Sequence, residues 1–278
     1  MSSSSTHRGT STALNYARAP EVTATRERTW ITRASNFVVT VSEVEPGAVL
    51  ERQGQPDEYF VYVAAPGQAR IHWGGQALEV GPESLTIVPP GASRVEVLGG
   101  GKLVRQFTNR NVDLLAQAGN AADFETPQPN VAPLPASTPP KAGHALRSFK
   151  LDEHVVAGSS MRLFRTADLM FNAILPKMQA RDTHKLTPHS HADFEQASLA
   201  LTGEWIHHLR YPWTPDMSSW REDEHPQMGS PSIVVIPPTV VHTSRNIGDG
   251  HAQLIDLFAP PRQDFLSKGM VHNASDYE

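Results

Sequence analysis

Few stretches of this chain can become a helix of any length. Runs rich in Val, Ile and aromatic residues are short, and each is closed by proline or glycine. Residues 37–41 lead to Pro46-Gly47, residues 58–63 to Pro66-Gly67, residues 69–73 to Gly74-Gly75, and residues 85–88 to Pro89-Pro90-Gly91, with residues 94–98 beyond. The rhythm returns at residues 161–164, 170–175, 204–211, 233–236 and 253–258. Proline cannot donate to a ladder or continue a helix. Turns at such intervals, with little helical periodicity between them, predict an all-β protein, a sandwich or barrel of strands.

The chain of 278 residues has room for one large or two ordinary domains. Residues 1–20, Ser/Thr-rich at their start, read as a flexible tail or an arm that crosses to a partner subunit. Residues 21–120 form a first β-rich domain, with a short helix expected at 111–118. Residues 121–145 are dense in proline and predict an extended linker, long enough to wrap the opposite domain. Residues 146–262 make the second domain, and residues 263–278 a polar tail.

Composition removes several function classes. A net charge of −5 gives no reason to expect nucleic acid or an anionic membrane as partner. Cysteine is absent, so there is no disulfide framework, thiolate metal site or thiol nucleophile. No run approaches the length of a membrane-spanning helix, and residues 1–12 lack the apolar core of a secretory signal. The reading is a cytoplasmic enzyme or binding protein. Serine-nucleophile motifs, phosphate-binding loops, dinucleotide fingerprints and a helix-turn-helix are all missing.

Chemistry concentrates in His189-Ser190-His191, followed by Glu195-Gln196 and, further on, Gly203. On an extended strand alternate side chains share a face, so both histidines can aim at one point. Imidazole with an oxygen donor is what a divalent first-row metal binds. A further ligand must come from elsewhere. His242 is the candidate, placed after an apolar run and the Pro237-Pro238 turn.

These segments resemble the two cupin motifs. His189 and His191 match the first two ligands of the first motif, and Pro237, His242 and Asn246 match the second motif, with His242 as its ligand. Thr239 stands where the motif has glycine, and the run from Gly229 to Pro237 is longer than the motif's. Glu195 and Gln196 both fit the spacing for the remaining ligand. Counting back from Gly203 favours Gln196, which would place Ser198 and Ala200 on the ligand face and Ala197, Leu199 and Leu201 on the other.

A second, degenerate copy lies upstream. Arg94, after Pro89-Pro90-Gly91, occupies the histidine's place, and Arg52, Gln53 and Gly54 fall where the histidine pair would be. An arginine and Glu58 would form a buried ion pair in a vacant site that binds no metal; an anion pocket using Arg52 and Arg94 is the other reading. The resemblance thus implies a bicupin, two jelly-roll β-barrels in one chain, forming a homodimer. It implies one divalent metal ion (Fe, Mn, Zn or Ni) held by His189, His191, Gln196 and His242. The expected function is a metal-dependent enzyme acting on a small oxygenated organic acid, leaning to dioxygenase chemistry. Isomerase or lyase action on a keto or sugar acid is the alternative, as is a non-catalytic metal-containing binding protein. Candidate proton-transfer residues are His207, Glu195 and His225, with Asp223 and Glu224 beside it. Alternation with Trp205 and Leu209 turns His207 inward and His208 outward. The Trp- and Pro-rich segment 211–226 reads as a cover for the site or as a contact loop.

Overall fold

The structure is a computed structural model and describes residues 12–278. It is built almost wholly of strands, arranged as two jelly rolls packed back to back. In the N-terminal half a seven-stranded sheet, centred on Tyr59–Val63 and Gly101–Thr108, faces a four-stranded sheet that contains Val49–Gln55 and Gly91–Gly99. In the C-terminal half a six-stranded sheet, centred on Gln196–Thr202 and Gln253–Phe258, faces the sheet of Gln227–Met228, Trp205–Arg210 and Val241–Asn246. The short helix expected near 111–118 is present as Val112–Gln117.

Alternation along the central strands builds two kinds of core. Val61 and Val63 face into the N-terminal roll with Ile71, Val95 and Phe107. Phe60 and Tyr62, one residue out of phase, face the other half. There they meet Phe171, Leu199, Ile233, Ile255 and Leu257 in the largest apolar cluster of the molecule. Phe60 and Tyr62 lie 5.6 and 5.7 Å from the Phe171 ring. Ala197, Leu199 and Leu201 belong to this cluster, while Gln196, Ser198 and Ala200 point into the C-terminal roll, as their alternation requires.

The boundaries read from the sequence are crossed at both ends. Residues 1–11 of the expected tail lie outside the described residues. Thr12–Asn15 is no tail: it pairs with Ser232–Ile236 as the edge strand of the C-terminal sheet. Arg147–Lys150, assigned to the second domain, pairs instead with Ser84–Val88 of the N-terminal sheet. Each strand satisfies the open edge of the other half. The proline-rich segment between them opens with a 3-10 turn at Ala121–Phe124, has no regular structure beyond it, and is tied to both halves. Ala132 accepts from Asn36 Nδ2 (2.8 Å) and its N–H donates to the Asp193 carbonyl (2.9 Å).

Candidate metal centre

His189 and His191 do not lie in a regular strand. They sit on an extended loop held by one bridge, in which His189 and His242 exchange both backbone hydrogen bonds (3.0 and 2.7 Å). The loop's far end is fixed where Thr239 N–H donates to the His191 carbonyl (2.6 Å). Thr239 holds φ at +67°, the backbone that the motif's glycine would adopt freely. The turn geometry has therefore been kept although the glycine has not.

This scaffold brings the nitrogens of His189, His191 and His242 within 4.8 Å of one another. Their surroundings also fix their protons. His189 Nδ1 lies 3.0 Å from the Thr187 carbonyl, and His242 Nδ1 lies 3.0 Å from that of Val240. A carbonyl only accepts, so each Nδ1 carries the hydrogen and each Nε2 presents a lone pair. Burial pushes His191 down to about 3 and His242 down to about 4, so both are neutral imidazoles near pH 7.

Gln196 completes the group, and its orientation follows from chemistry. Its amide nitrogen donates to Ser198 Oγ (2.9 Å) and to the carboxylate of Asp256 (3.0 Å), which also accepts from Ser198 (2.7 Å). Asp256 is partly buried at the cavity wall, and desolvation raises its carboxyl above the usual range. With the nitrogen committed to that side, Oε1 points at the histidines, 2.9 Å from His191 Nε2 and 3.3 Å from His242 Nε2. On the His242 side a lone pair faces a lone pair with no proton between them. Acceptors that converge in this way fit a cation, and two metal–ligand bonds of about 2.1 Å span nearly the distances seen. The donor set, three imidazoles and an amide oxygen, fits a divalent first-row metal.

Glu195 is not part of this group. Its carboxylate accepts from the Ser35 N–H of the N-terminal half (2.6 Å). Burial, partly offset by Ser35 and Arg33, pushes it up to about 7. The choice between the two neighbours is thus made by strand alternation: Gln196 faces the histidines and Glu195 faces the other half. His207 does point inward, with Trp205 and Leu209. Its Nδ1 lies 2.8 Å from Ser244 Oγ, its buried Nε2 has no partner, and burial lowers it to about 4. His225 is elsewhere. It pairs with His208 (Nδ1 to Nδ1, 2.9 Å) on the outward side of the Trp205–Arg210 strand, while Asp223 is taken by Arg210. Of the other two proton-transfer candidates, Glu195 is thus engaged by Ser35 and His225 by His208, and neither belongs to the group of His189, His191 and His242.

A cavity of about 920 Å³ opens on His189, Gln196 and His242. Asp256, Phe258, Trp205 and Phe265 line it, and so do four cations: Lys177, Arg181, Arg262 and Lys268. Arg262 is held in place by two hydrogen bonds to Asp264 (3.0 and 2.7 Å) and lies 3.8 Å over Phe265. Arg181 ties down the loop that carries His189, through the Ser244 carbonyl (2.7 Å) and Thr187 Oγ1 (2.9 Å). The segment 211–226 does not line this cavity; Trp213 stacks on Trp220 (4.6 Å, 6°) and is exposed with Met217. Asp256 was not singled out in the sequence, although it is the one acid in an otherwise apolar strand, on the same face as Phe258.

The vacant copy differs from expectation. Along the Gly91–Gly99 strand Ser93, Val95 and Val97 take the inward positions, and the irregularity between Gly91 and Ser93 puts its extra residue in the facing Val49–Gln55 strand. Arg94 is exposed, and Ser93 points inward to the Tyr59 hydroxyl (3.0 Å). Glu58 pairs not with an inserted arginine but with Arg147 (2.8 Å) and the Tyr277 hydroxyl (2.7 Å), so that the C-terminal tail is docked there. Arg52 is held by Asp113 (2.6 Å) and Asn111 (2.9 Å).

No family model matches the sequence, and no curated protein matches it. Solved structures do. Protein Ylba from E. coli superposes with a TM-score of 0.61 at 12% identity, over 92% of this chain and 93% of that one. Oxalate decarboxylase from Bacillus subtilis gives 0.59 at 12% identity, over 89% and 76%. A cupin 2 conserved barrel domain protein from Leptotrichia buccalis gives 0.50 at 10% identity, over 89% and 96%. At these identities the likeness speaks for architecture, and with the two jelly rolls described above it means that the chain has the cupin fold.

Proposed function

We propose that the C-terminal half is a metal-dependent enzyme centre, with one divalent ion held by His189, His191, His242 and Gln196, and that it acts on a small oxygenated organic acid. The observation that carries this reading is the meeting of the Gln196 Oε1 and His242 Nε2 lone pairs, each fixed from behind by its own hydrogen bond. When bound, the ion would supply Lewis acidity to a substrate oxygen. The protein's own part is binding and orientation. Lys177, Lys268 and the wall of Arg262 draw an anionic group into the cavity, while Phe258, Phe265 and Trp205 pack its carbon skeleton. Because the four donors are neutral, they leave the ion's full charge to the substrate, which Glu195 in the same place would partly cancel. His207, neutral and one hydrogen bond away from the Ser244 side of the cavity, is the residue best placed to pass a proton.

The test is metal analysis of protein purified without a histidine tag, beside His242→Ala. The expected result is roughly one equivalent of Fe, Mn, Zn or Ni per chain, lost in the variant. Iron directs the substrate search to oxygen consumption with small aromatic and keto acids, the dioxygenase form of the reading. Any other ion directs it to isomerisation or lyase action on keto and sugar acids. Wild-type protein that neither carries nor takes up a divalent ion would overturn the proposal, and a loaded protein that turns over none of these acids would leave a binding protein.

A further inference from the structure

The two halves carry a matched pair of strands with opposite charge. Leu103-Val104-Arg105-Gln106-Phe107 and Leu254-Ile255-Asp256-Leu257-Phe258 occupy the same place in their jelly rolls. Arg105 pairs in register with Val61, two residues after Tyr59. Asp256 pairs with Ser198, two residues after Gln196. Tyr59 packs on Phe107 (4.8 Å), and Gln196 is in register with Phe258. So where the C-terminal roll sets an aspartate behind its candidate metal ligand, the N-terminal roll sets an arginine.

That arginine lacks the partner a buried charge needs. Arg105 is 7% exposed, its Nε is buried without a hydrogen-bond partner, and no carboxylate of the described residues pairs with it. Glu27, the acid whose charge reaches it, is engaged by Thr29 (2.6 Å). The surroundings offer donors. Thr40, directly across the ladder from Arg105, has a buried hydroxyl with no partner. The Tyr59 and Ser93 hydroxyls share one hydrogen bond between two protons, which leaves one proton to give. Arg52 also lies near the Phe107 ring (5.4 Å, against 5.6 Å for Arg105), but its charge is taken by Asp113. An unpaired guanidinium among donors is costly unless something negative joins it.

We propose that the interior of the N-terminal jelly roll is an anion site, in which Arg105, with Thr40 and the Tyr59–Ser93 pair, takes up a small carboxylate or an inorganic oxyanion. The site is the charge-inverted counterpart of the candidate metal centre. It is defined by residues of the N-terminal half alone, so it stands or falls apart from the metal reading.

The test is thermal unfolding of the full chain in rising acetate or phosphate, at constant ionic strength against chloride. The wild type is expected to gain stability with either probe. Acetate alone would assign a carboxylate site and phosphate alone an oxyanion site. Arg105→Met, close in length and uncharged, should weaken the response at least about tenfold. It should be no less stable than wild type without the probe, because it removes an uncompensated buried charge. His242→Ala should keep the full response. No response in the wild type, or an undiminished one in Arg105→Met, overturns the proposal. Should Arg105→Met fail to fold, wild-type crystals soaked separately in selenate and in bromoacetate decide: an anomalous peak from either anion beside the Arg105 guanidinium supports the site, and the absence of both rejects it.

Discussion

His189 and His242 face each other across a two-residue bridge and exchange both main-chain hydrogen bonds. Their side chains are each held by the carbonyl two residues earlier in the chain, Thr187 and Val240. Two candidate ligands from distant segments are thereby locked to each other by the backbone itself. What remains adjustable is Gln196, and it is held from behind by Asp256.

Asp256→Asn should therefore loosen the ion without removing a ligand. The asparagine can offer its own NH2 toward Gln196, which permits the Gln196 amide to turn and withdraw Oε1 from the histidines. Outer partners of this kind are worth about 10–100-fold in metal affinity. Competition against a chelator should find a loss in that range, while His242→Ala loses the ion altogether. An Asp256→Asn protein with wild-type affinity would show that the amide is oriented by something else.

Glu195 should make the fold less stable as pH rises. Its carboxyl is raised from 4.5 to about 7 in the folded chain. The unfolded chain thus releases this proton first, and stability falls between about pH 4.5 and 7 and levels off above that. The effect amounts to roughly 3 kcal/mol at most. Denaturant titrations should find Glu195→Gln close to wild type at pH 5 and more stable at pH 8. A difference that does not change with pH would mean that Glu195 does not titrate in this range.

Thr239→Gly should stabilise the protein. A β-branched residue at φ +67° costs about 1–2 kcal/mol, and glycine gives back roughly half of the gain as chain entropy. The melting temperature should rise by about 1–2 °C, with the Thr239-to-His191 hydrogen bond and metal affinity unchanged. A fall in melting temperature would show that the threonine side chain contributes more than its backbone strain.

Gly203→Ala should do the reverse. Gly203 has φ +85°, and a Cβ there would lie 2.6 Å from the Ala252 Cβ. Overpacking and backbone strain together cost about 2–4 kcal/mol. Chemical denaturation should register that loss, and the neighbouring register of Gln196–Thr202 with Gln253–Phe258 would shift with it.

Much of this was legible in the sequence because it rests on alternation and spacing. His189, His191 and His242 could be named from their intervals, and the inward turn of His207 from its neighbours. Gln196 was favoured over Glu195 by counting from Gly203, and the structure gives the physical reason, since adjacent residues on a strand face opposite ways. Arg94 was misplaced because counting from the Pro89-Pro90-Gly91 turn does not tell which phase of the next strand faces inward; Ser93 takes the inward position and Arg94 the outward one. The partners of Glu195 and His225, Ser35 and His208, come from other segments that spacing cannot bring near. Asp256 and Arg105 were passed over because a charge within a strand says nothing by itself of the face it takes. Only the matching strand order and register of the two halves make them a pair.

The exchanged edge strands bear on how this chain can be dissected. A fragment starting at residue 21 would leave Ser232–Ile236 with a bare edge, and one ending at residue 145 would do the same to Ser84–Val88. If the halves descend from one duplicated ancestor, each has since surrendered an edge to the other, and a module cut at those boundaries leaves behind one strand of its own sheet.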